Sequence, residues 1–174
     1  MVNDLVIRLT KKTLDTYKIS PAINDEHTSL FTWHGKVMYF HRRKCLFLIN
    51  DSTFFSLLIP DFNQAKFEQH FYTTFIQYLQ TTLLECGIDK QSIASYLSVF
   101  SGHYTFQKSL SRRVLGIMNE QTSYLSLAFD DFVTNNQLID ITALNISLNH
   151  RIICKNYPID NMKTILAQTF ENVS

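Results

Sequence analysis

The sequence is poor in glycine and proline, with four and three of them among 174 residues. Loop-rich β-sandwiches and flexible linkers use both residue types heavily, so we expect neither. An excess of charge of one sign is also lacking, because 16 Lys and Arg residues balance 15 Asp and Glu residues. A protein that binds nucleic acid or anionic membranes over its whole surface carries a clear basic excess. The balance leaves room only for a local basic patch.

Cysteine is scarce as well, and its spacing is uninformative for metal binding. Cys45, Cys86 and Cys154 are odd in number, lie far apart and form no Cys-x-x-Cys or Cys-x-x-His pair, so we expect no zinc site and no cofactor. We interpret them as reduced thiols, which is typical of the cytoplasm. The N-terminal MVNDLVIRLTKK does not resemble a signal peptide, and no apolar run approaches 18 residues. We therefore expect a cytoplasmic protein without a membrane partner.

Apolar and aromatic residues are abundant. They make up 45% of the chain and include 14 Phe and 8 Tyr. This is enough to build one large core, so we expect a single folded domain over residues 1–174.

The hydrophobic pattern predicts a sheet centred on residues 30–59. LVIRLT (5–10) alternates as a strand does, and three further strands are expected at 30–40, 44–50 and 53–59. Asn50-Asp51-Ser52 favours a tight turn. HYTFQKS (103–109) has the weak alternation of an edge strand. The predicted fold class is α+β, with helices packed on an antiparallel sheet of about four to five strands around the meander 30–59.

Helical periodicity is clearest in residues 62–86, where Phe or Leu recurs every four residues from Phe67 to Leu83. Asp61 is its expected N-cap, and Gly87 is expected to end it in a left-handed conformation. Thr10 suits the cap of a short helix in KKTLDTYK. Further helices are expected at 89–100, from about 111 after capping serines, and from Pro158 onward. The helix from 111 either continues to 132 or breaks near Gln121. Residues 139–149 fit a helix or a strand, with a slight preference for a helix.

Several of these stretches have a distinctive order. Thr-Lys-Lys follows the first strand in RLTKKTLD (8–15), and a Trp-centred strand leads to Arg-Arg-Lys and an apolar strand ending in Asn within residues 30–59. In these features the chain resembles a bacterial domain family catalogued as being of unknown function. The resemblance covers most of the chain. It implies a cytosolic protein of bacterial or phage origin, and it transfers no activity and no catalytic residue.

The first candidate site is the basic stretch FHRRKCLFLIND (40–51). His41, Arg42 and Arg43 separate two predicted strands, where a charged turn keeps the protein soluble and blocks edge pairing. An alternative is an anion site, since arginine binds phosphate or carboxylate with two parallel hydrogen bonds. Lys11 and Lys12, after the first strand, would lie close by if that strand joins the same sheet. In a third interpretation, a buried arginine pairs with an internal carboxylate.

A second basic pair, Arg112 and Arg113, lies in the first turn of a predicted helix. Positive charge is unfavourable there because of the helix dipole, so these residues should have partners. Intramolecular acids such as Asp130 or Asp131 are one choice, and an external anion is the other.

Four further residues are candidates with ordinary structural alternatives. Asn149, His150 and Arg151 follow an apolar segment, where they suit a helix C-terminus and where His150 is also able to transfer protons. His34 lies on a strand, and a lone histidine there is more often packed or hydrogen-bonded than catalytic. No nucleophile elbow, phosphate-binding loop or dinucleotide motif is present.

These observations support three functional hypotheses. The first is a non-catalytic binding module that takes an anionic partner, either nucleic acid or an acidic protein surface, through Arg42, Arg43, Arg112 and Arg113. This hypothesis requires the two basic pairs to lie together and to lack internal acidic partners. The alternative is a small cytosolic hydrolase or nuclease-like enzyme that uses His34, His41 or His150 with an arginine, which predicts a cleft where a histidine meets an acid. The third is a subunit that forms homo-oligomers through exposed aromatic residues.

Overall fold

The computed structural model of the protein describes residues 2–25 and 28–170. The described chain forms five strands and six helices. In chain order they are β1 (Asn3–Leu9), α1 (Lys11–Thr16), β2 (Thr32–Phe40), β3 (Arg43–Asn50), β4 (Ser56–Ile59), α2 (Gln64–Glu85), α3 (Lys90–Ser98), β5 (Phe100–Lys108), α4 (Arg112–Thr134), α5 (Ile141–Asn149) and α6 (Pro158–Phe170).

All five strands join one sheet in the order β4-β3-β2-β1-β5. The α+β class, the number of strands and the central meander are therefore confirmed. β2, β3 and β4 pair antiparallel, as predicted. β1 instead runs parallel to both of its neighbours, so the sheet is mixed rather than purely antiparallel. The alternation of a single strand shows which face it buries but not its direction, and only the connection decides that direction.

Helices cover the sheet on both faces. On one face Trp33 packs edge-on against Phe75 of α2, with the ring centroids 5.2 Å apart, and α3 and α6 complete this core. On the other face Phe40 stacks on Phe129 of α4 at 3.8 Å, and α5 packs beside it. The middle of β3 is buried on both sides, which explains why its sequence is apolar at consecutive positions.

Local signals place most helix ends correctly. Thr10 caps α1, Ser111 caps α4, and Gly87 adopts a left-handed conformation after α2, with φ +80°. The cap of α2 differs from the one expected, because Asn63 takes this role in place of Asp61. α4 continues unbroken past Gln121, and the ambiguous segment 139–149 contains a helix, α5.

The turn between β3 and β4 is longer than the predicted one. β4 begins at Ser56 rather than Thr53, and Phe54 lies at φ +60°. The side chain of Asn50 holds the turn by accepting hydrogen bonds from the backbone N–H groups of Ser52 and Thr53. Because the asparagine side chain replaces a backbone acceptor, Ser52 and Thr53 form part of the turn without strand-to-strand hydrogen bonds.

Candidate functional site

The basic stretch forms the β2–β3 hairpin. Phe40 pairs with Arg43, so His41 and Arg42 make a two-residue turn, with φ +43° and +74°. This conformation matches the twist of the strands and is usually occupied by Asn and Gly, because other residues are strained in it. The predicted charged turn is therefore present, and both of its side chains are exposed.

Two side chains of the hairpin already contact carboxylates. Arg43 donates two hydrogen bonds to Asp61, at 2.8 and 3.1 Å, and these bonds hold the pKa of the Asp61 carboxyl below its ordinary value. His41 Nε2 lies 2.9 Å from Oδ1 of Asp130 in α4. These exposed contacts fix the hairpin against its neighbours, and they leave Arg42 without a hydrogen bond or ion pair to any described residue.

An exposed aromatic ring next to the turn lies among lysines. The ammonium groups of Lys12 and Lys44 are 5.8 and 5.9 Å from the ring centroid of Tyr39. Lys44 is the cross-strand partner of Tyr39 on β3, and Lys12 comes from α1. We call Lys12, Tyr39, Arg42 and Lys44 the hairpin surface. Its three cations have no carboxylate partner within residues 2–25 and 28–170.

The end of β1 explains how Lys12 reaches this position. β1 pairs with β2 only as far as Leu9 and Gly35, and α1 then lies alongside the rest of β2. The Thr13 hydroxyl accepts a hydrogen bond of 2.8 Å from the backbone N–H of Val37 and so replaces the missing strand. The predicted proximity of Lys12 to the hairpin is thus present, and Lys11 is exposed at the start of the same helix.

Lys36 adds to the positive field near Lys12. Its ammonium group donates to Asn119 and Thr122 of α4, at 2.9 and 3.2 Å. Burial and then the charge of Lys12 lower the pKa of Lys36. The cations at this end of the sheet are therefore close enough to affect one another.

Arg112 and Arg113 do not join the hairpin surface. They begin α4, whereas Asp130, which contacts the hairpin, lies near its end. Seventeen residues of helix separate Arg113 from Asp130, which is about 25 Å at 1.5 Å per residue. The guanidinium of Arg113 lies over the Phe54 ring, 5.1 Å from its centroid, and the expected pairing with Asp130 or Asp131 is not made. The two basic pairs are thus separate, and Arg43 is paired with Asp61, so the single patch expected from the four arginines does not form.

His34 is the centre of a buried chain of hydrogen bonds. Its Nε2 lies 2.9 Å from Asp51 Oδ1, and its Nδ1 lies 2.9 Å from the Ser109 hydroxyl. These three residue types occur together in hydrolases, but here the histidine has no exposed surface and Ser109 is buried. A substrate has no direct route to His34 in this conformation. These hydrogen bonds link the start of β2 to the residues that directly follow β3 and β5.

Asn149, His150 and Arg151 have separate structural contacts. Asn149 is fully buried and binds the backbone of Ser56 in β4. His150 ends α5, with Nδ1 2.8 Å from the carbonyl oxygen of Ile146. The Arg151 guanidinium stacks on the Tyr124 ring at 3.9 Å. These contacts agree with the predicted helix C-terminus.

Sequence reasoning missed Tyr39, Asp51 and Ser109. A signal existed for Tyr39, since residues equally far from a two-residue turn face each other across a hairpin. Tyr39 and Lys44 satisfy that rule. No comparable signal existed for Asp51 and Ser109, which reach His34 from distant segments.

The described residues contain neither an evident metal site nor a helix that could cross a membrane. Neither residues 2–25 nor residues 28–170 contain a cluster of three or more His, Cys, Asp or Glu side chains suited to a metal ion. No helix among them is both long and apolar enough to cross a bilayer.

The fold and the hairpin surface define an α+β protein with a mixed five-stranded sheet and an unpaired basic cluster around one tyrosine. Residues 6–164 match the family described as "Domain of unknown function (DUF6933)". The chain therefore belongs to this family, in agreement with the resemblance found in the sequence. No curated protein and no solved structure matches the chain significantly.

Proposed function

We propose that this protein is a cytoplasmic, non-catalytic module that binds an anionic partner through the hairpin surface. One observation supports the proposal most strongly: the ammonium groups of Lys12 and Lys44 both lie within 6 Å of the centroid of the exposed Tyr39 ring, and the described chain supplies no carboxylate to them. Like charges held close together repel, and the ring offsets this repulsion only partly. An external anion supplies the missing counter-charge.

The neighbouring ion pairs favour the same location. Asp61 and Asp130 lie near the turn, but Arg43 and His41 bind their carboxylates. Arg43 therefore offsets the charge of Asp61, and His41 occupies Oδ1 of Asp130. Arg42 at the tip extends the positive surface. In a chain of nearly zero net charge, such a cluster acts over a short range, within the screening length of physiological salt.

The hydrolase alternative has weaker support. It requires a histidine and an acid in an accessible cleft, whereas the contact of His34 with Asp51 is buried. The exposed contact of His41 with Asp130 lies at a hairpin tip. Neither pair combines access with a shaped pocket, so the binding module is the proposal that the geometry supports best.

Chromatography on immobilised heparin tests the proposal. The Lys12→Gln/Lys44→Gln variant should elute at clearly lower salt than the wild type, because two of the three unpaired cations are gone. Arg112→Gln/Arg113→Gln is the matched control, since it removes the same charge from the other end of α4. Equal shifts for both variants, or no retention of the wild type at low salt, would contradict the proposal.

A further inference from the structure

We infer that the anionic partner is a single strand of nucleic acid, with one base stacked on Tyr39 and its flanking phosphates bound by Lys12, Arg42 and Lys44. This inference rests on the proposed function and names the class of partner. It depends on the combination of a ring and cations at one place, since cations alone would serve any polyanion.

Tyr39 is the component that distinguishes among anions. It is 48% exposed, the most exposed aromatic side chain of the described chain. A carboxylate-rich protein or a sulfated sugar uses the cations but offers the ring no aromatic face. Every base has such a face, and base–aromatic stacking tolerates any sequence. Tyr39 therefore favours nucleic acid over other polyanions.

The strand must be single because a duplex hides its bases. In paired DNA or RNA each base face is covered by its neighbours, so a ring on a protein surface meets only the backbone or the groove edges. Proteins that bind single strands without sequence preference combine aromatic platforms with cations along the backbone. The hairpin surface has both components within one pair of strands and one short helix.

The position of the cations suits phosphates on both sides of a stacked base. Lys44 comes from β3 and Lys12 from α1, so they approach the Tyr39 ring from different elements, and each ammonium group is within 6 Å of the ring centroid. A base that stacks on the ring replaces one of the ammonium groups that lie over it, and that ammonium group then binds phosphate. Arg42, at the tip, provides a planar group for a third phosphate.

The site is small, so binding should depend moderately on salt. Three cations on a single strand give a slope of log affinity against log salt of about −2, from roughly 0.7 per phosphate contact. A large basic protein would show a much steeper slope. A slope of about −2 is therefore what a local basic patch in a chain of balanced charge should give.

Fluorescence anisotropy with fluorescein-labelled dT15 and U15 tests the inference on the full chain. Tyr39→Leu should weaken binding about tenfold, as expected for the loss of one stacked base. Tyr39→Phe keeps the ring and should stay within about twofold of the wild type. Lys12→Gln/Lys44→Gln should reduce the salt slope by about 1.4, whereas Arg112→Gln/Arg113→Gln should leave it unchanged.

Competition with duplex DNA of the same length, heparin and polyglutamate distinguishes the remaining outcomes. Weaker competition by duplex than by single strands supports the inference. If duplex competes equally, or if Tyr39→Leu binds as well as Tyr39→Phe, the inference is wrong and the contact is purely electrostatic. If heparin or polyglutamate binds through Lys12 and Lys44 while the oligonucleotides do not, the inference fails and the proposed function stands. If no polyanion binds, both fail.

Discussion

The side-chain amide of Asn149 binds Ser56 as a neighbouring strand would. Its Oδ1 accepts the Ser56 N–H at 2.7 Å, and its Nδ2 donates to the Ser56 carbonyl at 2.8 Å. One turn earlier on α5, Asn145 makes the same two bonds to Leu58, at 2.6 and 3.1 Å. The edge of β4 is therefore covered by two asparagines of a helix, which satisfies buried backbone groups and prevents pairing with another chain.

Asn149→Ala should destabilise the protein by about 2–6 kcal/mol, because it leaves buried donor and acceptor groups of Ser56 unsatisfied at about 1–3 kcal/mol each. Urea unfolding measures the effect. Asn135→Ala, at the exposed end of α4, is the control and should change the free energy of unfolding by less than about 0.5 kcal/mol. If the two variants are equally stable, the asparagines do not serve as an edge cover.

The sequence predicts what depends on local chemistry. The strand pattern, the Thr10 and Ser111 caps and the charged turn at Arg42 follow from periodicity or capping rules and agree with the structure. Contacts between distant segments were not predictable. The direction of β1, the asparagine cover of β4 and the Ser109–His34–Asp51 chain depend on how the elements are arranged in three dimensions, which composition and spacing do not encode. The same applies to the separation of Arg113 from the hairpin, which follows from the length and direction of α4.

Replacing His34 tests whether the buried hydrogen-bond chain stabilises the fold. His34→Ala should lower the free energy of unfolding by about 2–5 kcal/mol, since the Asp51 carboxylate and the Ser109 hydroxyl lose their shared partner where water is excluded. Thermal or urea unfolding provides the measurement. His103→Ala, which removes an exposed ring on β5, should be nearly neutral. Equal stability of the His34 variant and the wild type would show that the chain contributes nothing to folding.

The three thiols should differ in reactivity. Burial raises the pKa of Cys45 and of Cys86 to about 11, whereas Cys154 is exposed on a tight turn. Because the thiolate is the reactive form, one thiol should react quickly with a disulfide reagent at pH 8, and the other two only after unfolding. Cys154→Ser should abolish the fast phase. A fast phase of two or three equivalents would contradict the buried positions of Cys45 and Cys86.

The Arg43–Asp61 contact should give a small, acid-sensitive contribution to stability. Hydrogen bonding to Arg43 lowers the folded-state pKa of Asp61 from its ordinary 3.8, so the stabilisation is complete above that value and is lost as the pH falls through the folded pKa. Both side chains are partly exposed, so it should amount to less than about 1 kcal/mol. Carboxyl NMR titration should show the pKa of Asp61 rising in Arg43→Gln. An unchanged pKa would mean that the contact does not persist in solution.

Arg42 should lower the free energy of unfolding, because its backbone conformation is strained, and it should also contribute to binding. At φ +74° a non-glycine residue is strained by about 1–2 kcal/mol, while glycine costs only about 0.5–1 kcal/mol through the greater freedom of the unfolded chain. Arg42→Gly should therefore leave stability unchanged or raise it by up to about 1.5 kcal/mol. The same change removes a cation from the hairpin surface. It should therefore weaken binding to dT15 and reduce the salt slope by about 0.7.

Lys155 provides the matched control for Arg42. It lies at φ +76° in another tight turn. Its neighbour Cys154 lines a cleft together with Arg113, at the opposite end of α4 from the hairpin. Lys155→Gly relieves the same backbone strain and removes the same charge, so it should match Arg42→Gly in urea unfolding and bind dT15 as the wild type does. Equal loss of binding in both variants would assign the effect to net charge. If only Arg42→Gly weakens binding to dT15, the Arg42 side chain contacts the partner directly.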